Sequence, residues 1–307
     1  MLAYKPGDLI VSSMPFAYVV DPLSGAGRVC DFCFKRSDNL KPCPRCRVAH
    51  YCNKLCEASD LSDHLPECCY FEDVFPYIPN ITVRLMTRIM AKLKKQRPKD
   101  CKELVQGHWR TLEDLESHAN DIANDPVMLP KFHATWATVK HILGEEENPP
   151  LQALEIFGKM MINRFCITDN DLKPVGQGLY IGASIFDHSC DPDAAYVFEG
   201  TRLTVRATRS LSVDSVREVY ICYVDKLLMT EDRVAALQRQ YYSLATASSV
   251  KRVQGSRFAK SGAGSRSASA TSSWTWRRQR ARKTWNASRT AAARSSSARA
   301  RSWRPTT

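Results

Sequence analysis

The sequence has no run of about 18 consecutive apolar residues, so no membrane span is expected. Its first twenty residues, Met1 to Val20, carry an early lysine and scattered polar groups. They lack the compact apolar core of a secretory signal. Without such a signal, the twelve cysteines read as metal ligands and free thiols in a reducing compartment, not as disulfides. Glycosylation-type matches at Asn80 and Asn286 then carry no meaning. Acid is also missing from one end. After Tyr242 the chain holds 15 Lys or Arg and no Asp or Glu. The rest holds 29 basic and 32 acidic groups, a net −3, so the overall +12 does not argue for nucleic-acid binding. Residues 242–307 lack aliphatic periodicity as well. Their Ser, Ala and Arg composition cannot bury enough apolar area to offset chain entropy, which predicts disorder. The abrupt change of character at Tyr242 reads as a non-native reading frame; nucleic-acid binding by this Arg/Trp tail is not expected.

What the chain does have is a run of closely spaced ligands. Cys30-x2-Cys33, Cys43-x2-Cys46, Cys52-x3-Cys56 and His64-x3-Cys68 fall within one short stretch. Each spacing suits a tight turn or a helical turn that aims two donors at one ion. Eight donors make two closed tetrahedral zinc sites, which hold a fold together and leave no position for a reactive water. Spacing alone leaves open whether the four pairs combine side by side or interleave.

Around this stretch the character alternates. Residues 1–29 read as short strands, with Leu9–Val11 and Phe16–Val20 between the turns at Pro6-Gly7 and 24–27. Helical spacing then predicts helices over 82–95, 112–122 and 129–143. In the first, Arg84, Arg88, Lys92 and Lys95 stand opposite the apolar stripe. Pro149-Pro150 ends this region, and Leu154, Phe157, Met161 and Phe165 mark a further helix. These stripes are read as core packing, and His108, His118, His133 and His141 as surface or core histidines. Residues 166–224 return to strands at 176–180, 195–198, 203–207 and 219–223. A last helix starts from Thr230 as N-cap and runs to about Tyr241 along Val234 and Leu237.

Two parts of the chain resemble known families. The ligand string, with Cys46-Arg47-Val48-Ala49-His50-Tyr51-Cys52, resembles a MYND finger. That resemblance implies interleaving: Cys30, Cys33, Cys52 and Cys56 on one ion, and Cys43, Cys46, His64 and Cys68 on the other. Gly178-Leu179-Tyr180, Phe186-Asp187-His188-Ser189-Cys190-Asp191-Pro192 and Ile221-Cys222-Tyr223 resemble the core of a SET domain. Read alone, Asp187-His188-Ser189 suggests a hydrolase triad, but triad groups come from distant segments. A finger inserted in a SET domain ahead of a helical insertion looks like the SMYD family of protein lysine methyltransferases.

The resemblance implies an α+β fold, a split SET β-fold carrying the MYND finger and a helical SET insertion. Its parts are an N-terminal SET piece at 1–29, the finger at 30–68, the insertion at 74–160, the SET core at 161–241 and the tail at 242–307. It also implies methyl transfer from S-adenosylmethionine to a lysine of a histone or other protein, in cytoplasm and nucleus, by a monomer. Tyr223 and Phe165 would flank the reacting amine. Asn163, Asp187, His188 and Ser189, and with them Glu116, would hold the cofactor. The finger would dock proline-rich peptides, and a finger-only interaction module with an inert SET part is the alternative. This chain departs from the family pattern. Asp187 and Asp193 stand for asparagines, His118 stands for another, and residues 211–219 look longer than the usual turn. No Gly-x-Gly turn precedes Leu2, and no cysteine follows Cys222, so the chain is expected to lack the post-SET zinc site, the aromatic that covers the cofactor and the C-terminal domain.

Overall fold

β-Branched and aromatic runs separated by turns pair into small sheets here. A computed structural model describes residues 1–24, 27–144 and 151–242. The turn at residues 25–26, the Pro149-Pro150 stop and the tail from 243 onward lie outside the described residues.

In chain order the elements begin with β1 (Leu2–Tyr4), β2 (Leu9–Ser13) and β3 (Ala17–Val20). The finger adds β4 (Lys41–Pro42), β5 (His50–Tyr51) and α1 (Lys54–Val74). Next come α2 (Ile81–Leu93), the hairpin β6 (Lys102–Val105) and β7 (His108–Thr111), then α3 (Ala119–Asn124), α4 (Met128–Leu143) and α5 (Leu151–Asn163). The last part holds β8 (Arg164–Thr168), β9 (Pro174–Leu179), β10 (Asp187–His188), β11 (Ala194–Glu199) and β12 (Arg202–Ala207). It closes with β13 (Leu211–Val213), β14 (Tyr220–Ile221) and α6 (Thr230–Tyr241).

The sheets join sequence-distant strands. β12 lies between β11 and β2, and β9 lies between β3 and β8, all antiparallel. β1 pairs with β13, and β10 pairs in parallel with β14, Asp187 beside Tyr220 and His188 beside Ile221. An apolar core built on Ile10, Val11, Val175, Leu203, Val205 and Ile221 lies among these sheets. A second, around Leu85, Met86, Ile89, Trp136, Phe157 and Met160, joins α2, α4 and α5 to β3 and β9.

Four expectations need correction, and one element, a hairpin, is added. Phe165 does not belong to the helix marked by Leu154, Phe157 and Met161: α5 ends at Asn163, and Phe165 lies on β8. Residues 112–122 do not form one helix: a single 3-10 turn at Leu112–Asp114 gives way to extended backbone at Leu115. The chain then turns through His118, whose φ of 48° is left-handed, before α3 begins. The Thr111/Asp114 capping box starts that turn, and the extended Leu115 ends it. The hairpin β6–β7 is absent from the sequence reading, where residues 96–111 carry no clear alternation. Thr230 is the first helical residue and Met229 the cap, since Thr230 Oγ1 accepts from Arg233 instead. Finally, Arg84 and Arg88, placed opposite the apolar stripe of α2, are buried with it. They are 2% and 1% exposed.

Their burial is supported by charge. Arg88 donates to Asp60 and Glu67 of α1, at 3.0 Å each. Arg84 donates to Glu67 at 3.0 Å and to the Val20 carbonyl at 2.9 Å, and lies 3.6 Å from Asp31. Tyr51 donates to Asp60 at 2.9 Å. Three buried carboxylates thus face two guanidiniums, one negative charge in surplus. Burial pushes Asp31 up, and Asp60 up to about 6. Burial would raise Glu67 too, but Arg84 and Arg88 on either side hold it below the carboxylate range. This network fixes the finger's helix to α2. On the finger's other flank, Gly200 has φ +60° and sits so close that a Cβ would lie 2.8 Å from the Cys33 carbonyl oxygen.

Candidate active site and metal centres

The finger's first two ligand pairs sit on turns closed by Phe34 N–H to the Cys30 carbonyl and Arg47 N–H to the Cys43 carbonyl, 3.0 Å each. The other four donors flank or lie on α1. Asn53 caps that helix by accepting from the Cys56 N–H at 3.0 Å, and His64 and Cys68 lie one turn apart on its buried face. The donor atoms fall into two sets, Cys30/Cys33/Cys52/Cys56 and Cys43/Cys46/His64/Cys68, each within 4.8 Å of one another. The sets interleave along the chain; side-by-side pairing does not occur.

Each set fits zinc. Four Zn–S bonds of about 2.3 Å at tetrahedral angles put sulfurs about 3.8 Å apart, and a Zn–N bond shortens the edge to about 3.6 Å. Cys33 and Cys52 sulfurs are 3.7 Å apart, Cys43 and Cys68 sulfurs 3.8 Å, and Cys46 Sγ lies 3.4 Å from His64 Nε2. Burial holds His64 at about 4, so its imidazole stays neutral, the form that ligates. Two structural zinc ions account for all eight donors, and no position remains open.

A cleft of about 590 Å³ lies beneath α6, within the ordinary range of small-molecule sites. Of the residues singled out above, Glu116, Asn163, Asp187, His188 and Tyr223 line it. A second cavity of about 270 Å³ adjoins it and is lined by Phe165, Tyr196, Tyr223 and Tyr241, among others. Ile162, Asn163, Ser184, Tyr223 and Tyr241 line both, forming the wall the two cavities share. Ser189 lines neither; its N–H donates to the Ile221 carbonyl at 2.9 Å and its hydroxyl bonds within the turn to Asp191.

Each side chain is held by a distant segment. Asn163, the last residue of α5, donates from Nδ2 to the carbonyls of Glu116 and Lys159, both at 2.8 Å. Both amide hydrogens are thereby engaged, and Oδ1 is left to accept. Gly158 lets α5 approach this loop, because a Cβ there would collide with the Ser117 carbonyl oxygen. Tyr223 follows β14. Its N–H donates to His188 Nδ1 at 3.0 Å, and its hydroxyl donates to the Phe186 carbonyl. A His188 that accepts at Nδ1 carries its proton on Nε2, which faces Cys190 Sγ at 3.3 Å. Burial, and then Arg233, hold His188 below the usual histidine range, so it is neutral. Burial first, then the Asp187 carboxylate, push the Tyr223 phenol well above its ordinary value.

The replaced asparagines fare differently. Asp193 is compensated: it accepts from Arg209 Nε at 2.8 Å and from the Tyr220 N–H at 3.2 Å. Asp187 is exposed to the large cleft, where its charge acts on Arg110. Arg110 itself donates to the Ile181 and Ser184 carbonyls at 3.0 and 2.9 Å. His118 stacks on Tyr242 with ring centres 5.6 Å apart and bonds Asp121 at 2.8 Å.

Sequence reasoning missed Tyr241, Tyr196 and Arg110. Tyr241 was visible only as the end of the α6 stripe, where it reads as core. It is pushed up to about 12 by burial and packs on Tyr223 with ring centres 4.8 Å apart. Tyr196 stands edge-on to Phe165 at 5.4 Å. Arg110 lies in the unread hairpin and had no signal.

Comparison with known proteins matches residues 30–68 to the model of the MYND finger. Human histone-lysine N-methyltransferase SMYD3 is 35% identical over 243 residues, 77% of this chain and 54% of its own length. Human N-lysine methyltransferase SMYD2 is 33% identical over 245 residues, 78% of this chain and 54% of its own. Arabidopsis thaliana histone-lysine N-methyltransferase ASHR1 is 33% identical over 242 residues, 78% of this chain and 49% of its own. The chain thus spans about half the length of the curated relatives it matches. With the finger matched by its own model and more than three quarters of the chain aligned to these relatives, the chain is similar to the lysine methyltransferases of the SMYD family.

Proposed function

We propose that the chain is an S-adenosylmethionine-dependent protein-lysine N-methyltransferase acting on histone or other proteins. The observation that carries this reading is the pair of cavities meeting at Asn163, Ser184, Tyr223 and Tyr241. An in-line displacement needs donor and acceptor to arrive from opposite sides of one point. A cleft of mixed charge against a narrow aromatic-walled cavity supplies that arrangement.

The large cleft suits the cofactor's chemistry. Arg110 and Arg217 suit its carboxylate, Asn163 Oδ1 and the Glu116 carboxylate its ammonium, and Asp187 its positive sulfonium. When bound, this cofactor supplies an electrophilic methyl group. The chain's own residues do the rest. Phe165, Tyr196 and Tyr241 wall the small cavity, exclude water and disfavour the ammonium form of an entering lysine. The Tyr223 phenol, its proton committed to the Phe186 carbonyl, orients the amine by accepting a hydrogen bond. Its raised pKa keeps it from serving as a base at neutral pH; the lysine proton leaves to solvent.

The finger docks proline-rich peptides in this reading, and the monomer works in cytoplasm and nucleus. The deciding experiment is calorimetric titration of S-adenosylmethionine into the chain, followed by mass spectrometry of lysine-bearing proteins. Micromolar binding and mass gains of one methyl or more support the reading. No binding by a sample that holds two zincs and melts cooperatively would overturn it and leave the finger as the working part.

A further inference from the structure

Arg164 stands between two functional positions, Asn163 at the shared wall and Phe165 in the small cavity. It lines that cavity itself and is half-buried. Three other shielded arginines are better partnered, Arg84 and Arg88 on carboxylates and Arg110 on two carbonyls, while Arg233 reaches the Lys226 carbonyl and Thr230 Oγ1 at 3.2 and 3.3 Å and lines neither cavity. Arg164 makes one long bond, from Nη1 to Thr82 Oγ1 at 3.3 Å. Among the described residues no carboxylate pairs with it, and none lines the cavity. A guanidinium carries five N–H donors in a fork shaped for a carboxylate, so most of this one's capacity is unused. Its charge is felt inside the cavity, where it acts on the Tyr241 phenol, and its own pKa is lowered, chiefly by burial.

The placement also bears on the substrate. β8 is an edge strand, paired to β9 on one side only, and Arg164 is its first residue. A lysine brought to Phe165 carries an ammonium toward an uncompensated cation, which opposes entry. An acidic neighbour in the substrate, a few ångströms along the peptide, removes that opposition and fills the open fork. We propose that Arg164 is a specificity determinant that selects lysines with an aspartate or glutamate within two positions in the substrate chain. The proposal rests on the lysine-methyltransferase reading for the identity of the cavity.

The test uses the whole chain and two fluorescein-labelled alanine-based dodecapeptides, each with one central lysine flanked by glutamates or by glutamines. Anisotropy titration reads binding without any methyl transfer. Expected is about tenfold tighter binding of the glutamate peptide, a preference abolished in R164Q and reversed toward an arginine-flanked peptide in R164E. R164K keeps the charge without the fork, so it retains part of the preference and still decides the matter if R164Q fails to fold. Equal binding of both peptides by the native chain, preference retained in R164Q, or no binding of either below millimolar concentration would each overturn it. Mass spectrometry on the same mixtures after addition of S-adenosylmethionine separates the two ideas. Methylation without preference leaves the enzyme reading standing and removes this one; preference without methylation does the reverse.

Discussion

The finger and the cleft are built on opposite plans. The finger draws all eight donors from residues 30–68, and two ions close it. The cleft draws its walls from the Arg110–His118 loop, the end of α5, the turn at 184–188, Tyr223 and α6. Three of its side chains are held by another segment's backbone: Asn163 by the Glu116 carbonyl, the Tyr223 hydroxyl by the Phe186 carbonyl, and His188 by the Tyr223 N–H. A metal-closed unit tolerates little at any donor, whereas a cleft of distributed hydrogen bonds degrades one bond at a time. Predictions that break or sharpen this contrast run from large to small.

The largest effect is expected at a zinc donor. Structural zinc sites contribute roughly 10–16 kcal/mol of apparent binding energy to folding, so C46S should hold one zinc per chain and lose the finger's cooperative melting. Elemental analysis and calorimetry read both. If C46S still binds S-adenosylmethionine with native affinity, finger and cleft are energetically separate.

Next is the network that joins them. Arg88→Met leaves Asp60 buried without a guanidinium and Asp31 and Glu67 sharing Arg84, and removing one partner of a buried pair costs about 3–5 kcal/mol. Denaturant melts should show that loss with both zincs still present. A change within 1 kcal/mol would mean the cluster adapts by protonation.

Gly158→Ala is smaller in stability and sharper in location. The added methyl collides with the Ser117 carbonyl and forces the Glu116–His118 loop from the cleft. Overpacking of this kind costs about 1–3 kcal/mol. Cofactor affinity in calorimetry should fall at least tenfold, with zinc content unchanged.

Least destabilising is Tyr223→Phe, which removes one hydrogen bond worth about 1 kcal/mol. Melting should barely move and cofactor binding should persist. On the proposed mechanism the methyl-transfer rate falls roughly a hundredfold, the cost of one misplaced polar contact at a reacting centre. A rate within threefold of native would remove Tyr223 from the mechanism.

The same contrast explains what could be read beforehand. Donor spacing is local, so Cys30 to Cys68 announced two tetrahedral sites, and strands such as 203–207 showed their alternation directly. Whether the donor pairs interleave is set in three dimensions, and spacing left it open. The burial of Arg84 and Arg88, opposite the apolar stripe, is invisible in the sequence because their counter-charges, Asp60 and Glu67, lie on another helix with no sequence link to them. Tyr241 is indistinguishable from a core residue until α6 is laid over the shared wall. Residues 96–111 hid a hairpin because its exposed Leu104 and Trp109 spoil the two-residue alternation.

The bond from Arg84 to the Val20 carbonyl draws together the points where the chain leaves for the finger and returns from it. As a path, the finger is a detachable excursion: the chain from Asp21 to Val83 begins and ends at one place, and a short bridge would span the gap. As a balance of charge it is not detachable. Excision would carry away Asp31, Asp60 and Glu67 and strand Arg84 and Arg88 beside the core with no anion to face. To exchange this excursion for another is therefore also to redesign α2, because the counterpart of its charge is carried by two arginines outside it.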